Sequence, residues 1–206
     1  MNRTRTSNAW LREHVTDCYV RRAKAEGYRS RAAYKLLSID AKDRLIQPGD
    51  WIVDLGASPG GWCQVVAKKL AGQGKVIAVD VLEMTPVAGV TFLQGDFRED
   101  QVQMQLQELL AGEKLGLVLS DMSPNISGVA LSDQARVMHL AELALDFAGN
   151  WLKPDGALLV KVFQGYGYEQ FVEQMRQIFQ LVAPRKPDAS RDRSPEIYLM
   201  GRKLRR

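Results

Sequence analysis

A chain of 206 residues is long enough for one domain with a substantial core and too short for two comfortable ones. Apolar residues at 46% and charged residues at 25% exclude a disordered chain. No stretch nears the roughly 18 uninterrupted apolar residues that a membrane span needs. The net charge of +4 conceals a sharper division: residues 1–35 hold nine Lys/Arg against three Asp/Glu, and residues 183–206 hold eight against three, while 36–182 hold eleven against eighteen. Basic ends around an acidic middle suit a polyanionic partner through counterion release, with Trp10, Tyr19, Tyr28 and Tyr34 as stacking groups. The same runs also fit solvated helix faces.

The first residues are rich in arginine but lead into no apolar segment, and only eight precede the first helical pattern, so the expectation is a cytoplasmic bacterial protein. Cys18 and Cys63 stand far apart outside any C-x-x-C pattern, and His14 and His139 are equally isolated. Neither pair suggests a metal site, a disulfide framework or a catalytic triad; no metal is expected.

In chain order, residues 8–26 read as a helix stopped by Gly27, and a second helix follows from Ser30, its expected cap. Pro48-Gly49-Asp50 is a turn. The pattern then alternates: strand 51–55, helix 61–70, strand 75–80, a short strand at 90–93, helix near 99–111, strand 115–120, helix 132–149, strand 157–163 and helix 168–179. Strands near 180–184 and 195–201 close the chain with no helix between them. This spacing predicts an α/β, Rossmann-like fold: a seven-stranded, mostly parallel sheet with one antiparallel edge strand and helices on both faces. The domain is expected to fill 1–206, with a basic helical segment over 1–45 and a basic tail over 202–206.

The first strand runs into Val53-Asp-Leu-Gly56-Ala-Ser-Pro-Gly60-Gly61-Trp62. Three glycines between a strand and a helix mark the carboxyl edge where doubly wound folds bind ligands. The spacing departs from G-x-G-x-x-G and lacks the G-K-[ST] of a P-loop. Asp80 ends the second strand, where an acid can accept both hydroxyls of a ribose. Asp96 follows the third strand, where an acid can meet an adenine amino group, and Asp121 follows the fourth. With Asp54, four strands finish in or beside an aspartate, all expected along one crevice. Four acids suit a ligand carrying ribose hydroxyls, an amine and a positive centre better than a diphosphate; S-adenosylmethionine fits that description.

At these residues the chain resembles the FtsJ/RrmJ-type ribose 2′-O-methyltransferases, from about Trp10 to Gly201. The resemblance rests on Ser30-Arg-Ala-Ala-Tyr-Lys35, Asp54-Leu-Gly-Ala-Ser-Pro-Gly-Gly-Trp62, Phe92-Leu-Gln-Gly-Asp96-Phe97, Ser120-Asp-Met-Ser-Pro-Asn-Ile-Ser-Gly128, Leu159-Val-Lys161-Val-Phe and Ser194-Pro-Glu-Ile-Tyr198. It implies a catalytic tetrad of Lys35, Asp121, Lys161 and Glu196, and cofactor contacts from Gly60, Trp62, Asp80, Asp96 and Asp121. Ser58 and Ser123 stand where alanine is expected in close relatives. The implied activity is S-adenosylmethionine-dependent 2′-O-methylation in ribosome biogenesis. The implied target is a uridine in the peptidyl-transferase region of 23S ribosomal RNA, modified by a monomer within the 50S subunit.

Methyl transfer from a sulfonium to an alcohol needs oxygen, carbon and sulfur in line and a route for the hydroxyl proton. Lys161, in what reads as the buried strand Leu158–Phe163, is the central candidate. A neutral Lys161 would take the proton; a cationic one would orient the hydroxyl and stabilise the developing alkoxide. Asp121 would hold the cofactor and steer Lys161, while Glu196 and Lys35 complete the charge network. A nicotinamide oxidoreductase shares the fold and Asp80 but not the glycine spacing. Base methylation lacks its D/N-P-P-Y/F motif or a placed cysteine. An RNA-binding assembly factor is the third alternative.

Overall fold

The computed structural model describes residues 17–125, 127–191 and 194–205. The expected helix over 8–26 is therefore described only in its last part, and Trp10 and His14 lie outside the described residues. Helix α1 (Cys18–Glu26) begins where the Asp17 carboxylate accepts the Tyr19 N–H at 3.0 Å, and ends at Gly27, whose φ of 77° closes the C-terminus. Helix α2 (Ala32–Asp43) starts two residues later than its expected cap. Ser30 does not cap it: the hydroxyl is buried against Gly61, where an added Cβ would meet it at 2.4 Å.

Strand and helix then alternate as β1 (Trp51–Leu55), α3 (Gly61–Leu70), β2 (Lys75–Asp80), β3 (Val90–Gln94), α4 (Asp100–Leu110), β4 (Leu115–Ser120), α5 (Ala130–Trp151), β5 (Leu152–Phe163), α6 (Tyr168–Ile178), β6 (Phe179–Arg185) and β7 (Glu196–Leu204). The seven strands form one sheet in the order β3-β2-β1-β4-β5-β7-β6. The expected mostly parallel sheet with an antiparallel hairpin at its edge is present. Within that hairpin β7 is the strand that runs against the others; it sits one place in, between β5 and β6. The segment read as a basic tail is partly sheet: Arg202 pairs with Ala157 and Leu181, Leu204 pairs with Phe179, and the Arg205 N–H bonds to the Ile178 carbonyl at 2.7 Å.

Each sheet face has its own core, as period-two alternation requires. On one face Ala33, Leu36 and Ile39 of α2 and Trp62, Val65 and Val66 of α3 pack against Leu117, Leu119, Leu159, Tyr198 and Met200. On the other, Leu106, Ala141, Leu145, Phe171 and Met175 from α4, α5 and α6 cover Val53, Val118, Leu158, Val160 and Leu199. Every residue of β4 is buried, the mark of a central parallel strand. The strand order reverses at β1, which pairs with β2 on one side and β4 on the other, and ligand crevices open above the carboxyl ends at such points.

Candidate active site

The crevice above β1 and β4 is a cavity of about 760 Å³, within the range of small-molecule pockets. Gly56, Ser58, Asp80, Asp96, Asp121, Met122, Ser123 and His139 are among its lining residues. Gly56 is there because nothing larger fits: its φ is 77°, and an added Cβ would lie 2.7 Å from both Cα and N of Met122. The loops after β1 and β4 thus touch backbone to backbone.

Asp80 is held by two main-chain amides, accepting from Ser58 N–H and Leu82 N–H at 2.8 Å each. Asp96 accepts from Arg98, whose Nε lies 3.0 Å from both carboxylate oxygens, and this partner holds the carboxyl below the usual range. Arg98 also lines the cavity, and no sequence motif singled it out.

Two expected residues stand elsewhere. Asp54 does not reach the crevice; it is fully buried behind it, accepting from the Cys63 thiol at 3.1 Å, with Oδ1 lacking a protein partner. Alternation along β1 turns it under α3, and burial pushes its carboxyl up to about 7. Both cysteines are free thiols, Cys63 buried and Cys18 exposed. The Trp62 indole is likewise buried, donating to the Ala32 carbonyl at 2.7 Å and lying 5.6 Å from the Tyr198 ring. Gly60 caps α3 with a φ of 103°. Neither Gly60 nor Trp62 is among the residues lining the cavity; what the start of α3 offers there is main chain, since the first N–H groups of a helix lack intrahelical acceptors.

Lys35, Asp121, Lys161 and Glu196 come together from α2, the β4 loop, β5 and β7, and Asp121 is the member that lines the crevice. Lys35 Nζ sits 2.7 and 2.9 Å from the two Glu196 oxygens. Lys161 Nζ donates to the Asp121 carbonyl at 2.7 Å and pairs with Asp121 Oδ1 at 3.1 Å. Tyr198 joins the halves: its hydroxyl donates to Asp121 Oδ1 at 2.8 Å and accepts from Lys35 at 3.3 Å. Sheet register explains this, since Lys161 pairs across the ladder with Tyr198, two residues along β7 from Glu196 and on the same face. Burial alone would raise Asp121; the Lys161 and Lys35 charges and the Tyr198 bond outweigh it and hold the carboxyl below its ordinary value. Burial and the Asp121 charge push the Tyr198 phenol far up, so it stays a donor. Tyr198 closes the motif that carries Glu196 but had no role assigned from the sequence; its two-residue offset from Glu196 on a strand was the signal that could have marked it. Ser190 was silent in the sequence; its hydroxyl donates to Glu196 Oε1 at 2.9 Å.

A doubly wound sheet, a glycine loop without phosphate-binding spacing and a row of crevice acids define a nucleoside-cofactor transferase site. Residues 28–204 match the FtsJ-like methyltransferase family, and the chain belongs to that family. It is 62% identical to Ribosomal RNA large subunit methyltransferase E of Dechloromonas aromatica over 205 residues, covering all of both chains. It is 58% identical to the protein of the same name from Azoarcus sp., again over the full length of both. Among solved structures, a Plasmodium falciparum protein described as a ribosomal RNA methyltransferase superposes with a TM-score of 0.77 at 30% identity, covering 86% of this chain and 98% of that one.

The cofactor of this family is S-adenosylmethionine, and the crevice fits it. Asp80 offers lone pairs fixed for vicinal hydroxyls, and the acids outnumber the arginines that line the cavity.

Proposed function

We propose that this protein methylates the ribose 2′-hydroxyl of a uridine in the peptidyl-transferase region of 23S ribosomal RNA, acting as a cytoplasmic monomer on the 50S subunit. The observation that carries the reaction is the continuous Glu196–Lys35–Tyr198–Asp121–Lys161 network, which meets the crevice at Asp121. The names of the full-length relatives support the RNA class, and the motif resemblance supports the ribose and the nucleotide.

Asp80 would bind the cofactor's ribose, Asp96 its adenine amine, Asp121 its charged end, and the Trp62 N–H its carboxylate; Gly60, whose own N–H is donated to the Ala57 carbonyl at 2.7 Å, would act by turning the chain into α3. Arg98 must yield part of Asp96 for the amine to be accepted there. When bound, S-adenosylmethionine supplies an electrophilic methyl carbon. Lys161 Nζ is then placed to hold or take the hydroxyl proton. Its two bonds to Asp121 leave one tetrahedral direction at nitrogen, where an N–H would be donated to the ribose oxygen or a lone pair would accept its proton. Asp121 fixes Lys161 through both its carbonyl and its carboxylate. Lys35, braced by Glu196, would orient the hydroxyl.

Methyl transfer from labelled S-adenosylmethionine to large subunits from cells lacking the enzyme tests this reading. Wild type is expected to yield 2′-O-methyluridine, and Lys161→Ala to lose about 10²–10⁴-fold in rate while retaining cofactor affinity. Label on a base, or an undiminished rate in the variant, would overturn it.

A further inference from the structure

Among the described residues Tyr166 is the most exposed of the large apolar side chains, at 78%, yet its loop is firmly held. Gln134 of α5 donates through Nε2 to the carbonyls of both Phe163 and Tyr166, at 3.0 Å each. Gly165 and Gly167 flank the tyrosine with φ values of 148° and 84°. Added Cβ atoms there would meet the Gln134 side chain at 3.5 Å and Met138 Cγ at 3.4 Å, so the loop lies along α5. One turn back from Gln134 on the same helix face stands Leu131, 64% exposed, and Val129 at 61% precedes the helix. An aromatic ring left in water on a pinned backbone contributes nothing to either core.

Its place supplies a rationale. The loop leaves β5 at Phe163, which pairs with Glu196, and the Gln164 N–H continues the ladder to the Pro195 carbonyl at 3.0 Å. The five residues from Lys161 to Tyr166 span at most about 18 Å, so Tyr166 stands within about three nucleotides of the Lys161 and Glu196 groups. Sequence-specific RNA recognition uses unpaired bases stacked on aromatic rings, and a pre-positioned tyrosine loses little side-chain freedom on stacking.

We propose that Tyr166 is a stacking platform for an unpaired base neighbouring the target ribose, with Leu131 beside it as an apolar wall. The inference rests on the reading of RNA as substrate. It makes Tyr166 a substrate-binding residue that sets the register of the strand; Tyr166 is not among the residues that line the cofactor crevice.

Steady-state kinetics on undermethylated large subunits would compare wild type with Tyr166→Ala and Tyr166→Trp. A lost base stack predicts a rise of about five- to a hundred-fold in KM for the subunit in Tyr166→Ala. The dissociation constant for S-adenosylmethionine and the melting temperature should stay unchanged, and Tyr166→Trp should restore KM. The affinity of Tyr166→Ala for protein-free 23S RNA should fall in parallel. An unchanged KM in Tyr166→Ala, with wild type active, would overturn the platform and leave the proposed function standing. A KM defect on particles with no loss of affinity for free RNA would overturn it in favour of a ribosomal-protein contact. A wild-type enzyme that transfers no methyl group would instead sink the reading beneath it.

Discussion

At the scale of single residues, the chain spends several buried polar groups on one small region. Asp54 illustrates the cost. Its carboxyl titrates near 7 in the folded protein, against about 3.9 in an unfolded chain, because burial disfavours the anion. The folded state therefore binds this proton more tightly. The resulting stability is fully present below about pH 4 and is lost as pH rises, until none remains above about pH 7. The gap is worth on the order of 4 kcal/mol. Asp54→Asn, which cannot ionise, should flatten the profile: the difference in unfolding free energy between wild type and variant, followed by urea melts from pH 4 to 8, should change steeply across that window and level off above it. A constant difference would show that Asp54 is ionised throughout.

Elements set the geometry in which those residues meet. The loops after β1 and β4 close on each other at Gly56, where Met122 backbone leaves no room for a side chain. Gly56→Ala should add about 1–3 kcal/mol of backbone strain and push the β4 loop, with Asp121, out of place. Calorimetry should show S-adenosylmethionine affinity reduced about tenfold or more. Gly112→Ala is the control: it shares a positive φ of 85° but meets nothing within 4 Å, so it should lower the melting temperature and leave cofactor affinity untouched. The β5–β7 ladder is the second such device. Since side chains alternate, a one-residue slip would turn Tyr198 and Glu196 away from Lys161 together.

Across the whole molecule, charge is sorted from the crevice outward. The acidic excess lies in the middle of the chain, three of its aspartates lining the cavity beside Arg98 and Arg136, while the basic excess lies in residues 1–35 and 183–206. Not all of that excess is free for a partner. Arg185 is committed to Asp43 at 2.6 Å, Arg202 to the Asp43 carbonyl at 3.0 Å, and Arg22 both pairs with Glu26 at 2.7 Å and lies 4.6 Å from the Tyr34 ring centroid. Arg21→Glu is thus the cleaner probe of RNA docking than Arg22→Glu. If Arg21 meets a phosphate, ribosomal RNA affinity should fall, and the slope of log affinity against log salt should flatten by about one. An unchanged slope would remove α1 from the RNA interface. Among the described residues no helix is long and apolar enough to cross a membrane.

Much of this was legible in the chain because it is local. Glycine spacing, strand-final acids and period-two apolar runs place the crevice and its Asp80, Asp96 and Asp121, since each depends on residues within one turn or strand. The tetrad was readable only because its members sit in recognisable motifs; 161 residues separate Lys35 from Glu196, and no local rule joins them. Tertiary packing alone decided the rest. It hid Asp54 under Cys63, turned the Trp62 indole onto Tyr198, paired Asp96 with Arg98, drew the final basic run into β7 and brought Ser190 to Glu196. Those outcomes follow from which face a strand turns inward and which strand lies beside it. A sequence states its own alternation, but the neighbour that each face meets is chosen by the fold.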